Sequence, residues 1–128
     1  MTDQDRRNRD IVRHMYTGDE AERRQIAADI VWHVPGHNPV SGEYRGFDEY
    51  TNLMPARMAP LMRWDFTLED VMVNGNYVMT TFRLIGERNG QMVDVRGGHL
   101  MRLTPDGKVA EGWGFSQDQD ALDAFFSA

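Results

Sequence analysis

Apolar positions recur with two periods along this chain, and the change from one to the other divides it. In the first part they follow a helical spacing. Ile11, Val12, Met15 and Tyr16 share one face, with Arg6, Arg7, Arg9 and Arg13 placed elsewhere, so the opening is predicted to be an amphipathic helix ended by Gly18. Thr17 and Glu20 have capping-box spacing, which predicts a second helix to about Ala28. A short strand, Ile30 to Val34, is stopped by Pro35-Gly36. The stretch His37 to Gly46 reads as a loop, and a third helix begins near Phe47, where Pro55 and Pro60 should kink or divide it.

From Trp64 the period becomes two. Trp64, Phe66 and Leu68 alternate with polar neighbours. Turns at Asn74-Gly75-Asn76, Asn89-Gly90 and Pro105-Asp106-Gly107 then delimit strands Tyr77 to Ile85, Met92 to Leu103 and Val109 to Phe115. Asp118 or Asp120 can cap a short final helix that ends in Phe125 and Phe126.

The last hairpin can be put in register. A tight turn at Asp106-Gly107 sets Arg102 opposite Glu111, Met101 opposite Gly112, Leu100 opposite Trp113 and His99 opposite Gly114. The Arg102–Glu111 pairing joins opposite charges, which supports this register. Val93, Val95, Gly97, His99, Met101 and Leu103 then form the more apolar face and should point inward. Their partners would be the small residues Ala110, Gly112, Gly114 and Ser116, leaving space beside His99 for a ligand. Trp113 and Phe115 fall on the opposite face. Their exposure predicts a homodimer through the sheet.

Composition narrows the chemistry. At 128 residues the chain is one domain, long enough to bury roughly two-thirds of its unfolded surface. With no cysteine there are no disulfides, thiolate metal sites or cysteine nucleophiles. A net charge of −6 argues against nucleic-acid binding, which needs excess Lys and Arg. No apolar run reaches the ~20 residues of a membrane helix and the first ten residues are polar, so a cytoplasmic protein without membrane partners is expected.

Two helices, a short strand, a helix and a meander of long strands resemble the nuclear-transport-factor-two-like cone fold. The likeness is to its SnoaL-like branch, carried by Trp32-His33-Val34-Pro35-Gly36, by Gly42-Glu43-Tyr44-Arg45-Gly46, and by Asp106 through Trp113 followed by Asp118 through Phe126. The resemblance implies an α+β fold in which a strongly curved, mostly antiparallel sheet wraps around three to four helices and encloses an apolar pocket. It further implies cofactor-free acid–base chemistry of the isomerase, cyclase or hydro-lyase/hydrolase type on a small hydrophobic, cyclic metabolite, or a binding protein with the same pocket. Set ungapped against the ketosteroid isomerase relatives, His99 falls where they carry an oxyanion-donor aspartate, Val34 where they carry the general base and Ile11 where they carry a donor tyrosine. Two of those three groups are therefore missing, which argues against that activity.

His99 is the leading candidate for proton transfer or oxyanion stabilisation, because its strand position aims it inward and burial favours its neutral form. Tyr50 is a candidate hydroxyl donor, with Tyr16 behind it. His33 is a third catalytic candidate, although alternation with Trp32 and Val34 turns it away from the pocket if Val34 faces in. Trp32, Val34, Met54, Met58, Trp64, Phe66, Phe82, Leu84, Val95, Met101, Gly112 and Gly114 are the expected ligand-contact residues. His33 and His37 are four apart on a stretch that is not helical, so they do not make a zinc pair, and no metal is expected.

Overall fold

A computed structural model of the chain describes residues 1–17 and 25–128. Helix α1 (Asp3–Met15) opens with a capping box in which Thr2 and Asp5 satisfy each other's backbone amides. Its buried residues are Asn8, Ile11 and Val12. Asn8 donates from Nδ2 to the Gly75 carbonyl at 2.8 Å, and Asp5 accepts from the Gly75 amide at 2.9 Å. These bonds pin α1 to a sheet turn and set where its last residues point.

The strands are β1 (Ile26–Val34), β2 (Gly42–Arg45), β3 (Arg63–Asn74), β4 (Tyr77–Arg88), β5 (Gln91–Leu103) and β6 (Val109–Ser116). They form one sheet in the order β2-β1-β6-β5-β4-β3. Every neighbouring pair is antiparallel except β1 with β6. A π-helical turn (Glu49–Leu53) leads into α2 (Met54–Met58), and α3 (Gln119–Ser127) closes the chain with Asp118 accepting from the Ala121 amide at its start. The widened turn lies immediately ahead of Pro55, which cannot donate to the carbonyl four residues back and crowds it. Ala59 is extended before Pro60, and α2 ends there. This is the α+β cone expected from the sequence.

The differences lie in the first half. Glu20 of the capping-box signal and most of the predicted second helix fall in residues 18–24, outside the described residues, while the Thr17 hydroxyl donates to the His14 carbonyl at 2.7 Å. Its last turn is strand instead: β1 begins at Ile26 and runs nine residues. The reason is tertiary, since Ile26 and Val31 through His33 pair with β6, far along the chain. The predicted loop His37 to Gly46 contains β2, paired with β1 from Val31–Arg45 to Val34–Gly42. The β5–β6 register is as expected from Gly97–Ser116 to Arg102–Glu111. It then shifts, so Leu103 pairs with Val109 rather than Ala110. A bulge there absorbs one residue.

Two buried clusters fill the cone. Ile11, Val12, Ile30, Trp32, Tyr44 and Met101 belong to one. Val40, Phe82, Leu84, Val95, Phe125 and Phe126 belong to the other. Tyr16, Val34 and Met54 pack against both, and the space between the clusters is the site.

Candidate functional site

A cavity of about 380 Å³ opens between the helices and the inner face of the sheet. This is the lower end of the usual range for small-molecule pockets. Alternation along β3, β4 and β5 delivers Trp64 and Phe66, Phe82 and Leu84, and Val95, His99 and Met101 to its wall. β1 contributes Trp32 and Val34, and the helical segment contributes Tyr50, Met54 and Met58. Gly114 also lines it. Val34, at the position where the ketosteroid isomerases carry their base, thus presents an apolar side chain.

His99 stands deep in this wall. Its ring is ringed by aromatic neighbours, with centroids 4.9 Å from Phe82, 5.0 Å from Trp32 and 6.1 Å from Phe66. Burial lowers its pKa to about 4, so the imidazole is neutral at pH 7. Its Nδ1 lies 2.6 Å from the Tyr16 hydroxyl, which in turn lies 2.6 Å from Thr80 Oγ1. Thr80 Oγ1 also accepts from the His99 backbone amide at 3.2 Å. Burial holds the Tyr16 phenol well above its ordinary pKa, so both partners of His99 are neutral. Among the described residues no hydrogen bond engages Nε2, and the partly open His99 borders the cavity.

Two expected site residues stand elsewhere. The His33 ring is on the outer face of the sheet, bonded through Nε2 to Glu111 at 2.8 Å, 3.4 Å from Glu43 through Nδ1, and stacked on Trp113 at 5.3 Å. His33 counts among the residues bordering the cavity, but its ring is engaged by these outer-face partners, because the inward direction at this point of β1 belongs to Trp32 and Val34. Gly112 does not line the cavity either. A Cβ there would sit 2.1 Å from the Trp32 ring, so the space left by this glycine is filled by indole and not held for a ligand. Of the small-residue wall, Gly114 and Ser116 border the cavity. His33 and His99 thus stand on opposite faces of the sheet.

Tyr50 borders the cavity with its ring edge-on to Trp32 at 5.3 Å. Ile11, where the ungapped comparison put the donor tyrosine, is a core residue, and Tyr16 at the end of α1 is the tyrosine that reaches His99. Thr80 was not singled out by the sequence reading. Its signal was available: in the inward series Val78, Thr80, Phe82, Leu84 it is the one polar member. Phe126 and Leu122 of α3 complete the wall. Among the described residues, none that lines the cavity is Asp, Glu, Lys or Arg.

A family model described as a SnoaL-like domain matches residues 9–112. Uncharacterized proteins of Mycobacterium tuberculosis and Mycobacterium bovis are 30% identical over 125 residues, spanning 92% of this chain and 95% of theirs. A protein of unknown function from Xanthomonas campestris, described as having a cystatin-like fold, is 30% identical with a TM-score of 0.83, covering 94% of this chain and 98% of its own. Bal32a, from a soil-derived mobile gene cassette, superposes with a TM-score of 0.86 at 21% identity over 97% of this chain and 99% of its own. A putative SnoaL-like polyketide cyclase from Jannaschia sp. CCS1 does so at 0.81 and 19% identity, over 100% and 97%. The last two likenesses speak for the fold alone. With the family match spanning most of its length, the chain belongs to the SnoaL-like family.

Proposed function

We propose that the cavity binds a small, hydrophobic, cyclic metabolite and that His99 shares or passes a proton with an oxygen of that ligand, in cofactor-free isomerase, cyclase or hydro-lyase/hydrolase chemistry. One observation carries this reading: a neutral histidine, held through Nδ1 by Tyr16, stands in a largely apolar cavity with Nε2 left to the ligand. In such a dry site a fixed donor strengthens as charge develops on a ligand oxygen, since no water competes for it. The aromatic and methionine walls supply area for a flat, apolar molecule. We also propose that the protein is a cytoplasmic homodimer through the outer sheet face, where Phe115 is 42% exposed and Met79 37%. Met79→Glu then yields a monomer in size-exclusion chromatography with light scattering, and an unchanged mass removes this part of the proposal.

The test of the chemistry uses 2-tetralone, a neutral bicyclic ketone, and follows exchange of its α-protons for deuterium by NMR. Solvent takes the α-proton while His99 Nε2–H stabilises the enolate oxygen, so wild-type protein accelerates exchange and His99→Gln does not. A second reading, a binding protein without turnover, is favoured by the lack of a carboxylate among the described residues of the cavity wall. It predicts thermal stabilisation by the bicycle with no exchange above background.

A further inference from the structure

We infer that Thr80 and Tyr16 are positioning residues that hold the proton of neutral His99 on Nε2, so that the cavity presents a hydrogen-bond donor and selects a neutral ligand with an acceptor oxygen. The ligand half rests on the binding role proposed above; the tautomer half does not.

The assignment follows from counting protons. Thr80, Tyr16 and the His99 imidazole each contribute one, and Thr80 is fully buried, so its hydroxyl cannot turn to water. Suppose the imidazole proton is on Nδ1. It then donates to the Tyr16 oxygen, Tyr16 donates to Thr80, and Thr80 has only the His99 carbonyl, 3.4 Å away. That is beyond the 2.5–3.0 Å range of an O–H···O bond. Thr80 Oγ1 must also accept twice, from Tyr16 and from the His99 amide. Now place the proton on Nε2. Thr80 donates to Tyr16 at 2.6 Å, Tyr16 donates to Nδ1 at 2.6 Å, and the His99 amide donates to Thr80. Every buried proton is then used. The 2.6 Å contact at Nδ1 also suits an O–H donor better than an N–H donor, whose bonds run 2.7–3.2 Å.

The consequence is a polarity for the site. With Nδ1 occupied as an acceptor, Nε2–H is what His99 offers, and it is a donor. A ligand oxygen with lone pairs matches it, whereas a hydrocarbon leaves it unpaired. Among the described residues the wall holds no lysine or arginine, so a carboxylate ligand would exchange its hydration for neutral donors alone. A charged acid is therefore rejected and a neutral carbonyl accepted.

The experiment has two arms on the full chain. The first is a long-range proton–nitrogen NMR spectrum of uniformly ¹⁵N-labelled protein at pH 7. His99 is expected with its proton on Nε2 in wild type and in Thr80→Ser, which keeps the hydroxyl. In Tyr16→Phe the bond to Nδ1 is gone, and its nitrogen resonance moves to the position of an unbonded lone pair. Thr80→Val provides an independent perturbation if Tyr16→Phe does not fold. A proton on Nδ1, or on both nitrogens, in wild type overturns the assignment. The second arm titrates 2-tetralone, tetralin and 2-naphthoate by thermal shift. 2-Tetralone is expected to bind about tenfold more tightly than tetralin in wild type and Thr80→Ser, with that ratio reduced in Tyr16→Phe and no stabilisation by 2-naphthoate. Equal binding of ketone and hydrocarbon overturns the ligand selection. If neither binds while the spectrum is as expected, the binding role itself fails and only the tautomer stands.

Discussion

His33 and His99 lie on opposite faces of the same sheet and show what the face decides. His99 sits among aromatic rings with two neutral hydroxyl groups for company, and burial keeps it uncharged. His33 lies between Glu43 and Glu111 on the outer face, where its bond to Glu111 is the main reason that this carboxyl titrates below its usual range. The two tryptophans beside them divide in the same way. Trp32 is buried over Gly112, while Trp113 lies half-buried flat on His33. The same residue types thus make an enclosed aromatic pocket on one side of the sheet and a charged, partly apolar surface on the other. The lesson is that a histidine's chemistry here follows from its strand parity more than from its sequence neighbours.

The largest expected effect separates the histidines by activity. His99→Gln should reduce 2-tetralone exchange by about 10²–10⁴-fold, the usual contribution of a placed acid–base group. His33→Gln should leave the rate within about twofold. Equal losses in the two variants would dissolve the distinction between the faces.

Next come the tryptophans, compared by urea unfolding. Trp32→Ala should cost about 3–5 kcal/mol, because it empties a buried site. Trp113→Ala should cost about 1–2 kcal/mol, since its ring is half exposed and gains mainly from stacking. The glycines refine this within the inner face. Gly112→Ala drives a methyl group into the Trp32 ring and should cost about 1–3 kcal/mol. At Gly114 the nearest atom to a Cβ is Pro35 Cδ at 3.3 Å, so Gly114→Ala should cost less than 1 kcal/mol.

The smallest effect is in pH dependence. The His99 pKa falls from 6.5 unfolded to about 4 folded, so the unfolded chain binds the proton first. Stability from this group is complete above pH 6.5 and is lost as pH falls from there towards 4. Between pH 7 and 4.5 the Tm of wild type should drop more than that of His99→Gln. Parallel curves would mean that His99 is not buried as neutral imidazole. On the outer face, Glu111→Gln should shift stability at pH 7 by less than about 1 kcal/mol, as exposed pairs do.

Much of the second half was legible because its information is local. Gly90 and Gly107 take positive φ where the turns require it, and those turns set the pairing of β4 with β5 and of β5 with β6. Alternation then assigned His99 inward and Trp113 and Phe115 outward. The first half was harder. Ile26-Ala27-Ala28 has the composition of a helix end, yet it extends because β6 offers a parallel edge.

The chain's own pattern was enough for the division into a helical and a strand part, the turns, the late-strand register and the inward face of His99, since each depends on residues a few positions apart or on a regular period. Three things depended on long-range packing: that Trp32 and not a ligand covers Gly112, that His33 is bonded on the far face, and that Tyr16 closes on His99 across 83 residues of chain. Contacts of that separation leave no periodic trace. They exist only once α1 is pinned to the sheet turn and β1 is paired to β6, which brings their side chains to one point.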